Sequence, residues 1–144
     1  VEYFKSGNIY AKAFFHGNKQ IGKEKFYYEN GNIELESNYL DNEKIGEMRT
    51  YYSDGQIRTI SSFKNGKLNG ERKEYYENGY LKLKQAYVNG KIEGEGIEYH
   101  ESTGKIRSKV NYKNNKKENN KLKGIQYIPC VACKDFCKRR TKCR

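Results

Sequence analysis

The chain has no tryptophan, one methionine, two histidines and a single proline, Pro129, in 144 residues. No cysteine precedes Cys130, so neither a disulfide nor a thiolate-ligated metal belongs to the body of the chain. No apolar run approaches the ~20 residues a membrane-spanning helix needs. Hydrophobic residues make up only 35%, with a mean hydropathy of −1.12, which excludes a thick two-layer core. The two histidines are isolated: His16 precedes a turn and His100 replaces a tyrosine of a recurring pair. They read as tolerated substitutions. No phosphate-cradling G-x-x-x-x-G-K-S/T loop is present. Glu71, Glu74, Glu95 and Glu98 recur in segments rich in Lys and Arg, which makes a solvated charged face the expectation. A catalytic carboxylate pair would need a cleft. No catalytic residue is assigned, and a non-enzymatic protein is expected.

What is abundant is tyrosine, 14 residues, with six phenylalanines. Together with apolar positions that recur in register, they argue against disorder. Gly7, Gly31, Gly55 and Gly79 keep a step of 24, as do Gly22, Gly46, Gly70 and Gly94, and Tyr3, Tyr27, Tyr51, Tyr75 and Tyr99. The chain is a tandem repeat. A unit so short cannot close a core alone and leans on its neighbours. Four units align without gaps: YFKSGNI, YYENGNI, YYSDGQI and YYENGYL. A fifth starts YHESTGKI at Tyr99 and runs into KNNKKENNK, where the usual glycine turn is lost.

Each unit carries two turn signals. Asn30-Gly31, Asp54-Gly55 and Asn78-Gly79 favour the tight hairpin turn that accepts positive φ. The second signal, in HGNKQIG, LDNEKIG, KNGKLNG and VNGKIEG, reads as longer and ends in Gly. The stretches between have period two: Ile57, Thr59, Ser61 and Phe63 share one face, as do Ile33, Leu35, Ser37 and Tyr39. Each unit is thus predicted to be a β-hairpin. The whole is an all-β, elongated, single-layer antiparallel β-meander, coiled by natural strand twist. The tyrosine pairs, with Phe15, Tyr39, Phe63 and Tyr87, are expected to line one face and to replace the missing second layer by ring stacking.

The pattern Tyr-Tyr-x-Asn-Gly-x-Ile, an aromatic, then Asn-Gly-Lys-x-x-Gly-Glu resembles the MORN repeat. It is more narrowly similar to the bacterial variant found in antitoxin components of toxin–antitoxin pairs. YYENGYLKLKQAYVNGKIEGEGIEY, Tyr75 to Tyr99, carries the resemblance best. The resemblance implies a sheet of β-hairpins over residues 1–112, with units from Tyr3, Tyr27, Tyr51, Tyr75 and Tyr99. It also implies a non-catalytic protein that binds another protein, in the manner of an antitoxin or immunity protein. The candidate binding face carries Tyr27, Tyr28, Tyr51, Tyr52, Tyr75 and Tyr76.

Charge is divided unevenly. Residues 1–112 carry +2, whereas residues 113–144 carry +9 of the total +11. Residues 113–128 read as a degenerate last repeat or linker, and 129–144 as a basic, cysteine-rich tail. The tail holds Lys134, Lys138, Arg139, Arg140, Lys142 and Arg144, a candidate surface for nucleic acid or an anionic membrane. Its cysteines, Cys130, Cys133, Cys137 and Cys143, suit a four-thiolate zinc site. The loop between the two halves is shorter than in zinc ribbons, so disulfides and free thiols stand beside zinc, with an iron–sulfur cluster well behind. No other cofactor is expected. Either a monomer or a homodimer fits, because an open meander has free edges. No secretory signal is visible, and a bacterial cytoplasmic location is favoured. The first residue is Val1 rather than Met, which leaves export, as a surface repeat protein, open.

Overall fold

The computed structural model of the chain describes residues 1–118. They form one open antiparallel sheet: β1 (Glu2–Tyr3), β2 (Ile9–His16), β3 (Lys19–Tyr27), β4 (Ile33–Leu40), β5 (Glu43–Tyr51), β6 (Ile57–Lys64), β7 (Lys67–Tyr75), β8 (Leu81–Val88), β9 (Lys91–Ile92), β10 (Gly94–Tyr99), β11 (Ile106–Lys113) and β12 (Lys116–Lys117). Spatial order follows chain order, with β9 and β10 both on β8. These two are one strand interrupted at Glu93, whose N–H donates to Ala86 O at 3.0 Å. The single-layer meander expected from the repeat is therefore the fold.

Nothing among the described residues covers either face. Among the described residues the buried positions are Ala11, Ser37, Ser61, Tyr87 and Gly96. The sheet is held by its ladders and by cross-strand pairs rather than by a core.

The two turn signals exchange roles relative to the sequence reading. At the Tyr-x-Asn-Gly turns, Tyr28 N–H donates to Asn32 O (2.8 Å) and Gly31 N–H to Tyr28 O (2.9 Å), and the same bonds recur at Tyr52 and Tyr76. This is a three-residue loop in which glycine alone takes positive φ, as at Gly31, 89°. The other turn is the tight one. Leu40 pairs with Glu43 and Lys64 with Lys67, leaving two residues between. Both of those residues are left-handed, for example Asp41 at 51° and Asn42 at 71°. Asn114-Asn115 keeps the same geometry, at 50° and 67°, so this turn persists where its glycine is gone.

Gly22, Gly46, Gly70 and Gly94 lie beyond that turn, inside or between strands. In β5, Glu36↔Arg49 is followed by Asn38↔Ile45, so Ser37 faces three residues of the opposite strand. Gly70 marks the most demanding of these bulges: φ is +115°, and a Cβ there would lie 3.1 Å from Ser62 Cβ.

Candidate functional site

Register separates the sheet into two unlike faces, because residues opposite one another on neighbouring strands point the same way. One row runs from Ala11 through Phe26, Leu35, Thr50, Thr59 and Glu74 to Leu83. The Thr50 and Thr59 hydroxyls meet at 2.6 Å on it. The adjacent residues form the row on the other face: Lys12, Lys25, Glu36, Arg49, Ile60, Lys73 and Lys84.

The second face neutralises its own charge. Lys25 meets Glu36 (3.5 Å), Arg49 meets Glu47 (2.5 Å), and Glu71 holds both Lys73 (2.8 Å) and Lys84 (2.6 Å). Lys109 meets Glu95 (3.2 Å). The ammonium groups of Lys73 and Lys84 hold the Glu71 carboxyl below its ordinary value, and Glu71 in turn raises Lys73. The Tyr51 hydroxyl donates to Glu36, which lowers that carboxyl, with Lys25 acting in the same direction against burial. Burial, then Glu36, raises the Tyr51 phenol.

The tyrosine pairs therefore do not line one face. Tyr51 reaches Glu36, and Tyr27 lies beneath the Lys12 ammonium at 5.8 Å, both toward the charged row. The second tyrosine of each pair does something different. Tyr28 donates its hydroxyl to Tyr51 O (2.7 Å), Tyr52 to Tyr75 O (2.7 Å) and Tyr76 to Tyr99 O (3.1 Å). These bonds link consecutive repeats. Stacked rings occur only at the first end among the described residues, Phe4–Tyr10 at 5.1 Å and Tyr10–Phe26 at 5.5 Å, both edge-to-face. Hydroxyl-to-carbonyl bonds, not ring stacking between equivalent positions, join the repeats.

On the first face these elements enclose a trough of about 590 Å³. Its floor includes Leu35, Met48, Thr50 and Thr59, and Tyr28 and Tyr52 rise beside it, their hydroxyls fixed to the carbonyls of Tyr51 and Tyr75. Burial raises the Tyr52 phenol, keeping it a neutral donor. Three charged residues follow the turns at the same repeat position and line the trough: Glu34, Arg58 and Lys82. Arg58 stands over the Tyr52 ring at 5.8 Å and Lys82 over the Tyr76 ring at 5.7 Å. Neither cation meets a carboxylate among the described residues. Arg72 and Glu74, also in the trough, pair with each other.

Of the candidate tyrosines, Tyr28, Tyr51, Tyr52 and Tyr75 border the trough, whereas Tyr27 borders a smaller hollow beside Lys12. The trough cations were not singled out by sequence. Their signal was a column that varies, Tyr10, Glu34, Arg58, Lys82, between columns that do not. The cysteines Cys130, Cys133, Cys137 and Cys143 and the basic residues Lys134 to Arg144 lie outside the described residues.

The sequence profile of the MORN repeat variant matches four tandem stretches, residues 20–41, 44–65, 68–89 and 92–114, together more than half of the chain. Each match is one hairpin, built around a three-residue turn in the first three and a four-residue turn between His100 and Lys105 in the last, and successive matches meet at the two-residue turns. No curated protein sequence matches the chain.

Proposed function

The chain belongs to the MORN repeat variant family, a non-enzymatic binding repeat, and on that premise we propose that it is a protein-binding module whose trough receives a partner protein. The observation that supports this reading is the contrast in charge between the faces. One is internally ion-paired, while the other presents a concave, tyrosine-walled surface whose Arg58 and Lys82 meet no carboxylate among the described residues. Such a surface offers aromatic area, fixed hydroxyls and Arg, the groups enriched where proteins bind one another. Its action is coverage of a partner rather than turnover. Within that reading the chain acts as an antitoxin-type or immunity-type protein, occluding the working surface of a toxic partner.

The test is co-expression with the product of the neighbouring gene, followed by size-exclusion chromatography. A stoichiometric complex is expected, and Thr50→Trp, which fills the trough, should abolish it. Lys84→Trp on the opposite face should leave it intact. A complex indifferent to Thr50→Trp, or equally lost with Lys84→Trp, would remove the trough from the account. A second reading rests on the +9 carried by residues 113–144: attachment to polyanions through the C-terminal segment. It expects binding to a DNA duplex that weakens steeply with salt and disappears on deletion of residues 113–144.

A further inference from the structure

The trough cations define what kind of partner segment fits. Arg58 and Lys82 are exposed, and each is held over a tyrosine ring by contact with its face. On the opposite face every basic residue of the central row from Lys25 to Lys84 is met by a carboxylate. A partner covering the trough removes water from Arg58 and Lys82. Cations so desolvated are costly unless carboxylates replace the water. Arg72 does not compete for those carboxylates, because Glu74 already holds it.

Spacing adds a second constraint. Arg58 follows the turn before β6 and Lys82 the turn before β8, so they are two strand steps apart, ~9.6 Å. Seven residues of an α-helix rise about 10.5 Å. Glu34 stands one further repeat away, with opposite sign. We propose that the trough receives an acidic amphipathic helix of the partner, with carboxylates at i and i+7 meeting Arg58 and Lys82. Its apolar side rests on Leu35 and Met48, and a basic residue one further step along meets Glu34, which sets its direction. This rests on the protein-binding reading and names the chemistry of the segment bound.

The experiment uses the full chain and two synthetic 21-residue helical peptides with the same Leu-bearing face. One carries Glu at i and i+7, and the other Lys at those positions. Binding is read by fluorescence anisotropy. The acidic peptide should bind about tenfold more tightly, and the Arg58→Glu/Lys82→Glu double variant should reverse the order. The Lys73→Glu/Lys84→Glu double variant on the opposite face should leave the preference in place. Melting curves check that both variants fold. Should the reversed variant not fold, Arg58→Gln/Lys82→Gln serves instead and should abolish the preference. Equal binding of the two peptides, or a preference moved equally by the opposite-face variant, would overturn the proposal. So would vesicles of mixed neutral and anionic lipid that bind through Arg58 and Lys82 when neither peptide does. A partner complex lost with Thr50→Trp but untouched by Arg58→Glu/Lys82→Glu would overturn the acidic helix alone and keep the binding-module reading.

Discussion

The two faces of this sheet are built from alternate residues of the same strands, yet they solve different problems. On the charged face Glu36, Glu71 and Glu95 tie neighbouring strands through Lys, while Glu47 pairs with Arg49 of its own strand. On the trough face the ties are neutral: tyrosine hydroxyls to carbonyls and one hydroxyl pair. Exposed ion pairs contribute little and yield to salt. A hydroxyl bonded to a backbone carbonyl keeps its contribution in salt and fixes the ring that bears it. The comparison teaches that in a one-layer protein the neutral ties carry register. They also leave charge on that face free for a ligand.

The strongest way to break the comparison is to remove the neutral ties. The triple variant Tyr28→Phe, Tyr52→Phe, Tyr76→Phe keeps all three rings and deletes three inter-repeat bonds. Each loss should cost about 1 kcal/mol, so the triple variant should lose roughly 3 kcal/mol in urea unfolding. The matching triple on the charged face, Glu36→Gln, Glu71→Gln, Glu95→Gln, removes three cross-strand ion pairs and should cost about 1 kcal/mol in total, less at high salt. Equal losses would erase the distinction drawn between the faces.

The bulge glycines sharpen it further, since they decide where each face begins. Gly46 and Gly70 both have positive φ, but a Cβ at Gly46 meets open space, whereas at Gly70 it meets Ser62 Cβ at 3.1 Å. Gly46→Ala should cost about 1 kcal/mol from backbone conformation alone. Gly70→Ala should cost about 2 kcal/mol, because the neighbouring strand must also give. Urea midpoints of the two variants make the comparison directly.

Acid separates the faces more gently. Glu36 and Glu71 have folded pKa values below the ordinary 4.5, so the unfolded chain binds their protons first. Their contribution is therefore present above pH 4.5 and is lost as pH falls through the lower folded values. In Glu36→Gln/Glu71→Gln the melting temperature should fall less between pH 5 and pH 3 than in the parent chain. Raised Tyr51 and Tyr52 act at the other limit: stability present below pH 10 is lost as pH rises through their folded values. Tyr52→Phe should flatten that alkaline loss.

Much of this architecture was legible before any coordinates. The 24-residue step, the period-two segments and the Asn-Gly signals fix the hairpins and their meander, because local turn chemistry and strand alternation act within a few residues. The assignment of turn lengths was not legible. Asn-Gly occurs at both turns, and only the closing pairs, Tyr28–Asn32 in one case and Leu40–Glu43 in the other, distinguish three residues from two. The split of each tyrosine pair was hidden for a similar reason. Alternation places Tyr27 and Tyr28 on opposite sides, but their partners lie up to 23 residues away in the next repeat. The trough cations were hidden because a variable column in a repeat looks like a solvated one until its register is known.

The smallest predicted effect is a gain. Asn30 and Asn78 each donate from Nδ2 to the next turn, to Ser53 O and Glu101 O, both at 2.8 Å. Each also accepts from the backbone two residues on. At the middle turn the residue is Asp54, whose carboxylate accepts from Gln56 N and Gln56 Nε2 but has no N–H to offer the Glu77 carbonyl. Asp54→Asn keeps the first bond, gives up the exposed one from the Gln56 side chain, and supplies the missing donor between repeats. It should therefore stabilise the chain by about 0.5 kcal/mol, and Asn30→Asp and Asn78→Asp should each lose a similar amount. Urea midpoints measured at neutral pH decide this. If Asp54→Asn lowers the midpoint, side-chain rungs along this turn row do not carry register. The task would then fall on the tyrosine hydroxyls alone.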